Sequence, residues 1–168
     1  MTTSTSLMQL IASLIIGLTI VYMTLSFLQR RLIKKHDMQI NNSAFAIFAA
    51  AILFCVGYLI SGANQPFLNT VKIIQQNQGS NFMLECVKYA GLFLFIGGLA
   101  ALSIVFCSLF IYSSIMKGVK SMEEIKNNNL AVAIISAAII IALTLIVRDN
   151  AVSLMESFIP YPTSPVVY

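Results

Sequence analysis

Two asparagines, Asn42 and Asn129, occupy the same place in two copies of one pattern, and each directly precedes a long apolar run. The first copy is Asp37-Met38-Gln39-Ile40-Asn41-Asn42-Ser43-Ala44-Phe45-Ala46-Ile47. The second is Glu124-Ile125-Lys126-Asn127-Asn128-Asn129-Leu130-Ala131-Val132-Ala133-Ile134, aligned without a gap at an offset of 87 residues. Both read acid, four residues, Asn, any residue, Ala, any residue, Ala. Three kinds of chemistry suit such a position. An Asn side-chain oxygen accepts from the free N–H groups of a first helical turn, so each Asn is a helix cap worth about 1 kcal/mol. Two helix N-termini that converge present partial positive charge, and beside basic loops they would hold an anion. The small side chains of Ala44, Ala46, Ala131 and Ala133 let helix backbones approach closely. The pattern alone leaves the three readings open.

Other reactive types are scattered. His36 is the only histidine and has no cysteine, histidine or acid cluster around it, so the ligand and catalytic sets of metal sites and hydrolases are not suggested. Cys55, Cys86 and Cys107 are odd in number and widely spaced, which points to inert buried thiols and not to a disulfide framework. Gly97-Gly98 lacks the Lys-Ser/Thr of a phosphate loop. No catalytic, cofactor-binding or metal-binding residues are expected, no cofactor, no enzyme activity and no nucleic-acid partner.

The elements that carry these residues are set by composition. Of 168 residues, 58% are hydrophobic and 10% charged, against about 25% charged in ordinary globular domains. The apolar residues form four blocks, at 7–28, 43–63, 89–116 and 130–147. Blocks of this length read as membrane spans, since about 20 residues at 1.5 Å each cross a core of about 30 Å. The first block lacks a basic region before it and is longer than a signal core, so it is read as a span. The span interiors hold no Asp, Glu, Lys, Arg or His. Proton relays and voltage sensors need such groups at mid-membrane. Among the polar residues of spans 1 and 3, from Gln9 to Ser26 and from Ser103 to Ser114, the serines and threonines are expected to bond to their own backbone one turn earlier.

Seven of the ten lysines and arginines lie between spans 1 and 2 or between spans 3 and 4. The positive-inside rule places both loops in the cytosol and both termini outside. Arg30, Arg31, Lys34 and Lys35 form the main cytosolic basic cluster. Two spans per copy make the copies parallel, related by a pseudo-two-fold axis along the membrane normal. Repeat one is 7–76 and repeat two is 89–162, within one membrane domain covering 1–168. The pairs Ser13/Gly17 and Gly97/Ala101 are small-xxx-small notches that admit spans 1 and 3 against a central pair, spans 2 and 4. Asn42 and Asn129 then meet across the axis, with Ala46 and Ala133 in contact one turn deeper. On the outer side, Phe67, Val71 and Ile74, and again Val152, Met155 and Ile159, fall at helical spacing, predicting two short interfacial helices, the second stopped by Pro160. The fold class is all-α: a polytopic membrane protein of four helices in two parallel helix-pair repeats.

At Glu124-Ile125, a polar gap, Asn129, Ala131 and Ala133, the chain resembles the YjfL-like family of bacterial inner-membrane proteins, built from two tandem copies of a two-helix domain of unknown function. In the first copy Asp37 and Met38 stand for the Glu and Ile, while Asn42, Ala44 and Ala46 are kept; where the family often has Gly before the Asn, this chain has Asn41 and Asn128. The closing Ile159-Pro160-Tyr161-Pro162 is also similar. The resemblance implies four spans, a bacterial plasma membrane and an association with peripheral membrane-stress proteins of the phage-shock kind. Two functions follow as expectations. One is a structural platform that forms homo-oligomers and presents its basic cytosolic loops to membrane lipid or a peripheral partner. The other is a passive channel or small-solute carrier formed by an oligomer.

Overall fold

The computed structural model describes residues 17–28, 30, 42–76, 82–116 and 120–160. Among these residues the chain is helical throughout, with no strand. The helices are α1 (Gly17–Leu28), α2 (Ser43–Gly62), α3 (Asn64–Gln76), α4 (Phe82–Ile115), α5 (Ser121–Lys126) and α6 (Leu130–Ser157). Three stretches are long and apolar enough to cross a membrane: Ser43–Gln75, Phe82–Ile115 and Leu130–Ser157. Most of the expected first span lies outside the described residues; α1 is its apolar remainder.

Helix starts follow side-chain chemistry. Asn42 and Asn129 are both extended, and both side chains cap the helices that begin at the next residue. Helix extents depart from the apolar blocks. α4 starts at Phe82, seven residues before the block at 89, and α6 runs to Ser157, ten residues past the block that ends at 147. The tail helix predicted from Val152, Met155 and Ile159 is thus no separate element: Val152 and Met155 continue α6, because Ala151 and Met155 stay in phase with its buried stripe. The other predicted short helix exists as α3, with Ile74 buried and Phe67 and Val71 half-buried.

Each long helix buries one stripe with a period near 3.6 residues. On α2 it is Ala44, Phe48, Ala51, Ile52, Cys55, Leu59 and Gly62; on α6, Val132, Ala133, Ser136, Ala137, Ile140, Thr144, Ala151 and Met155. These two helices share the most extensive contact in the structure, as their alanine content requires where lipid supplies little drive for association. At Gly62 a Cβ would stand 2.7 Å from Val152 Cγ2, so only glycine permits this approach. α4 packs on the pair through Phe93, Gly97, Ala101, Ile104, Ser108 and Tyr112. Gly97 and Ala101 lie at this contact, where a Cβ at Gly97 would meet Met155 Cε at 3.5 Å and Ile60 Cγ1 at 3.6 Å, ordinary van der Waals distances.

The matching Ser13/Gly17 notch falls only partly on described residues. Ser13 lies outside the described residues, and Gly17 is exposed, with nothing within 4 Å of an added Cβ. Gly17 and Gly57 are both among the residues lining a groove of about 340 Å³ between α1 and α2. α1 is tied in at its other end, where Leu28 joins the main core.

Candidate functional site

The two Asn-x-Ala-x-Ala segments meet, but not as mirror copies. The junction is built from α5 upward. Ser121 opens this short helix and is buried, within hydrogen-bond distance of Ser113 Oγ (3.1 Å) and donating to the Leu109 carbonyl (3.3 Å). Ile125, one turn on, is fully buried in the main core. These two anchors hold α5 against the end of the bundle. The helix closes in a reversed turn: Asn129 N–H donates to Glu124 O at 3.0 Å and Asn128 N–H to Ile125 O at 3.1 Å. That pairing requires a left-handed residue just past the helix, where glycine is commonest and asparagine next. Asn128 fills the place, with φ 61°.

Asn42 then reaches across from the other half of the chain. Its Oδ1 accepts from its own helix, at Phe45 N–H, 2.8 Å away. Its Nδ2 donates to Ile125 O at 2.8 Å and to Lys126 O at 3.0 Å, two of the final carbonyls of α5. One amide group thus satisfies the start of one helix and the end of another, both of which leave backbone groups unpaired. Asn128 returns the contact: its Oδ1 accepts from Ala44 N–H at 3.0 Å. Asn42 is only 6% exposed; its bond to the Ile125 carbonyl is buried and the other three are part-buried.

Asn129 does less. Its Oδ1 accepts from Val132 N–H at 3.5 Å, at the limit of a hydrogen bond, and its Nδ2 donates to Glu124 Oε2 at 2.9 Å. Glu124, the motif acid, thereby sits near the N-terminus of α6, where negative charge is favourable. The corresponding acid Asp37 lies outside the described residues, as do Arg31, Lys34 and Lys35 of the basic cluster; Arg30 is exposed.

This geometry sorts the three readings. The Ala44 and Phe45 amides at the start of α2, which an anion would need, are taken by Asn128 and Asn42. Capping and packing are what the residues do. The packing differs from expectation in detail: Ala44 and Ala133 are fully buried in one core cluster, whereas Ala46 and Ala131 are exposed. Residues two apart lie on opposite sides of a helix, so one alanine of each pair faces the partner and the other cannot. The expected Ala46–Ala133 contact is replaced by burial of Ala44 and Ala133.

Deeper in the bundle, polar groups turn inward in small number. Ser108 donates to the Ser136 carbonyl at 2.9 Å, linking α4 to α6, and Thr144 bonds to Ile140 O one turn earlier. At the far end Arg148 lies 4.8 Å over the Tyr58 ring, which stacks on Phe54. Sequence reasoning missed Asn128, Ser121 and Ile125. A signal for Asn128 existed: a residue type tolerant of left-handed backbone between a short helix and an N-cap.

A family described as Domain of Unknown Function (DUF350) matches residues 74–159, which include α4, α5, α6 and the second motif copy. No curated protein and no solved structure matches the chain.

Proposed function

The chain belongs to this family of unknown function, and from that premise we propose that it is a non-catalytic integral membrane platform that self-associates and presents basic loops at the asparagine end of the bundle. The observation that carries this reading is the division of α4 into two faces. One face is buried within the chain, and the other shows Phe95, Leu99, Leu102, Phe106 and Phe110 outward as a continuous exposed stripe. Such a stripe suits lipid or the same stripe of a second copy. The rest of the proposal extends from it. The first half of the chain, 7–76, is a tandem copy of the matched second half, as in the YjfL-like proteins. Support comes from Asn42 and Asn129, which cap helices that start at one end and run side by side in the same direction. The protein resides in a bacterial inner membrane with four spans and both termini outside. Arg30, exposed at the end of α1, begins the cluster offered to anionic lipid or to a peripheral membrane-stress protein.

Two measurements test it. Native mass analysis in nanodiscs is expected to find more than one copy per disc at micromolar protein; monomer alone would reject self-association. Single cysteines at positions 36 and 77, in a background without the native thiols, are expected to label from the cytosolic side and the outer side respectively. Labelling of position 36 by an impermeant reagent on intact cells would reverse the assigned sidedness.

A further inference from the structure

At the end of the bundle away from the asparagine junction, α4 and the residue after α6 border an open groove of about 470 Å³, lined by Lys88, Tyr89, Leu92, Phe95 and Phe158. That is within the size range of small-ligand sites, about 300–1,000 Å³. We propose that this groove binds an anionic phospholipid, its acyl chain along Leu92, Phe95 and Phe158 and its phosphate at the Lys88 ammonium.

Three observations fit this occupant. First, depth: Lys88 is the last ionisable residue before 28 uncharged ones, 89–116, so it stands where the apolar band of α4 begins. A lysine there lays its stem on apolar surface and holds its charge at headgroup level, and the adjacent Tyr89 is a usual residue of that boundary. Second, charge: Lys88 is exposed, and the ion pairs among the described residues are Lys120–Glu123 and Arg148–Asp149, neither of which uses it. Glu85, three residues earlier on α4, forms no ion pair with it among the described residues. The groove therefore has an apolar floor and an unpaired cation at its mouth, which is the charge complement of an anionic lipid. Third, continuity: Phe95 belongs both to the groove and to the exposed stripe that runs on through Leu99, Leu102, Phe106 and Phe110. The seven helical steps from Lys88 to Phe95 cover about 10 Å, within the roughly 15 Å of one leaflet's hydrocarbon.

The test is native mass spectrometry of the full-length protein, delipidated in detergent and titrated with phosphatidylglycerol or phosphatidylcholine. Wild type is expected to retain phosphatidylglycerol in preference to phosphatidylcholine. Lys88→Gln is expected to lower phosphatidylglycerol retention about fivefold, the factor that corresponds to about 1 kcal/mol per basic residue at an anionic surface. Lys88→Arg should keep the preference, and Phe95→Ala should lower retention of both lipids. Lys72→Gln, which removes an exposed lysine of α3, should leave the preference unchanged. Equal losses from Lys72→Gln and Lys88→Gln would show diffuse surface charge and overturn the site. So would a Lys88→Gln protein with the wild-type preference.

Discussion

Replacing Asn42 with alanine is expected to destabilise the protein by about 2–3 kcal/mol, measured by unfolding in detergent or nanodiscs. Loss of a cap alone costs about 1 kcal/mol. The additional cost comes from the other side of the amide. Without Nδ2, the part-buried Lys126 carbonyl loses its donor, and a hydrogen bond of this kind is worth about 0.5–1.5 kcal/mol. Ile125 O suffers less, because it also accepts from Asn128 N–H. Two further substitutions separate stapling from capping. Aspartate caps as well as asparagine, yet Asn42→Asp should be destabilising too, since it turns a carboxylate oxygen toward the two carbonyls of α5. Asn129→Ser should cost little, because its capping bond is already long, at 3.5 Å. Equal effects at Asn42 and Asn129 would mean that the two copies play equal parts.

Truncating Ile125 to alanine should cost about 2–4 kcal/mol, in the range for large-to-small changes at fully buried aliphatic positions. The effect should spread through α5 before it reaches the bundle. α5 has only six residues, too few to be stable without tertiary contacts, and Ile125 and Ser121 are its two buried residues. A cysteine placed at 121 is therefore expected to resist thiol reagents in the parent and to react readily when Ile125→Ala is added. Unchanged protection of position 121 would show that α5 is held by something other than Ile125.

The long helices were legible because membrane spans announce themselves by uninterrupted apolar runs, and their starts at Ser43 and Leu130 because asparagine is a strong cap. Their far ends were not. Glu85 and Lys88 break the apolar run of α4 without breaking the helix, and Arg148, Asp149 and Asn150 do the same to α6. Hydropathy reports the solvent a residue prefers, whereas a helix ends only where its backbone finds other partners. The Asn-x-Ala-x-Ala repeat correctly drew attention to the junction but suggested too much symmetry. Equivalent positions carry different loads: Asn42 spans two helices while Asn129 serves mainly its own, and Ala44 is buried where its counterpart Ala131 is exposed. Asn128 was half legible: its residue type tolerates the positive φ it adopts, but its bond to a residue 84 positions away is encoded by no local pattern.

The central claim, that the two halves of the chain are joined by side chains which cap each other's helices, is tested most directly by amide hydrogen exchange in nanodiscs at Ala44 and Phe45. These neighbouring amides are bonded to different halves: Ala44 to Asn128, and Phe45 to Asn42. Asn128→Gly keeps the left-handed backbone but removes the acceptor. It should speed exchange at Ala44 and leave Phe45 protected. Unchanged protection of Ala44 in Asn128→Gly, or equal loss at both amides, would contradict the junction described.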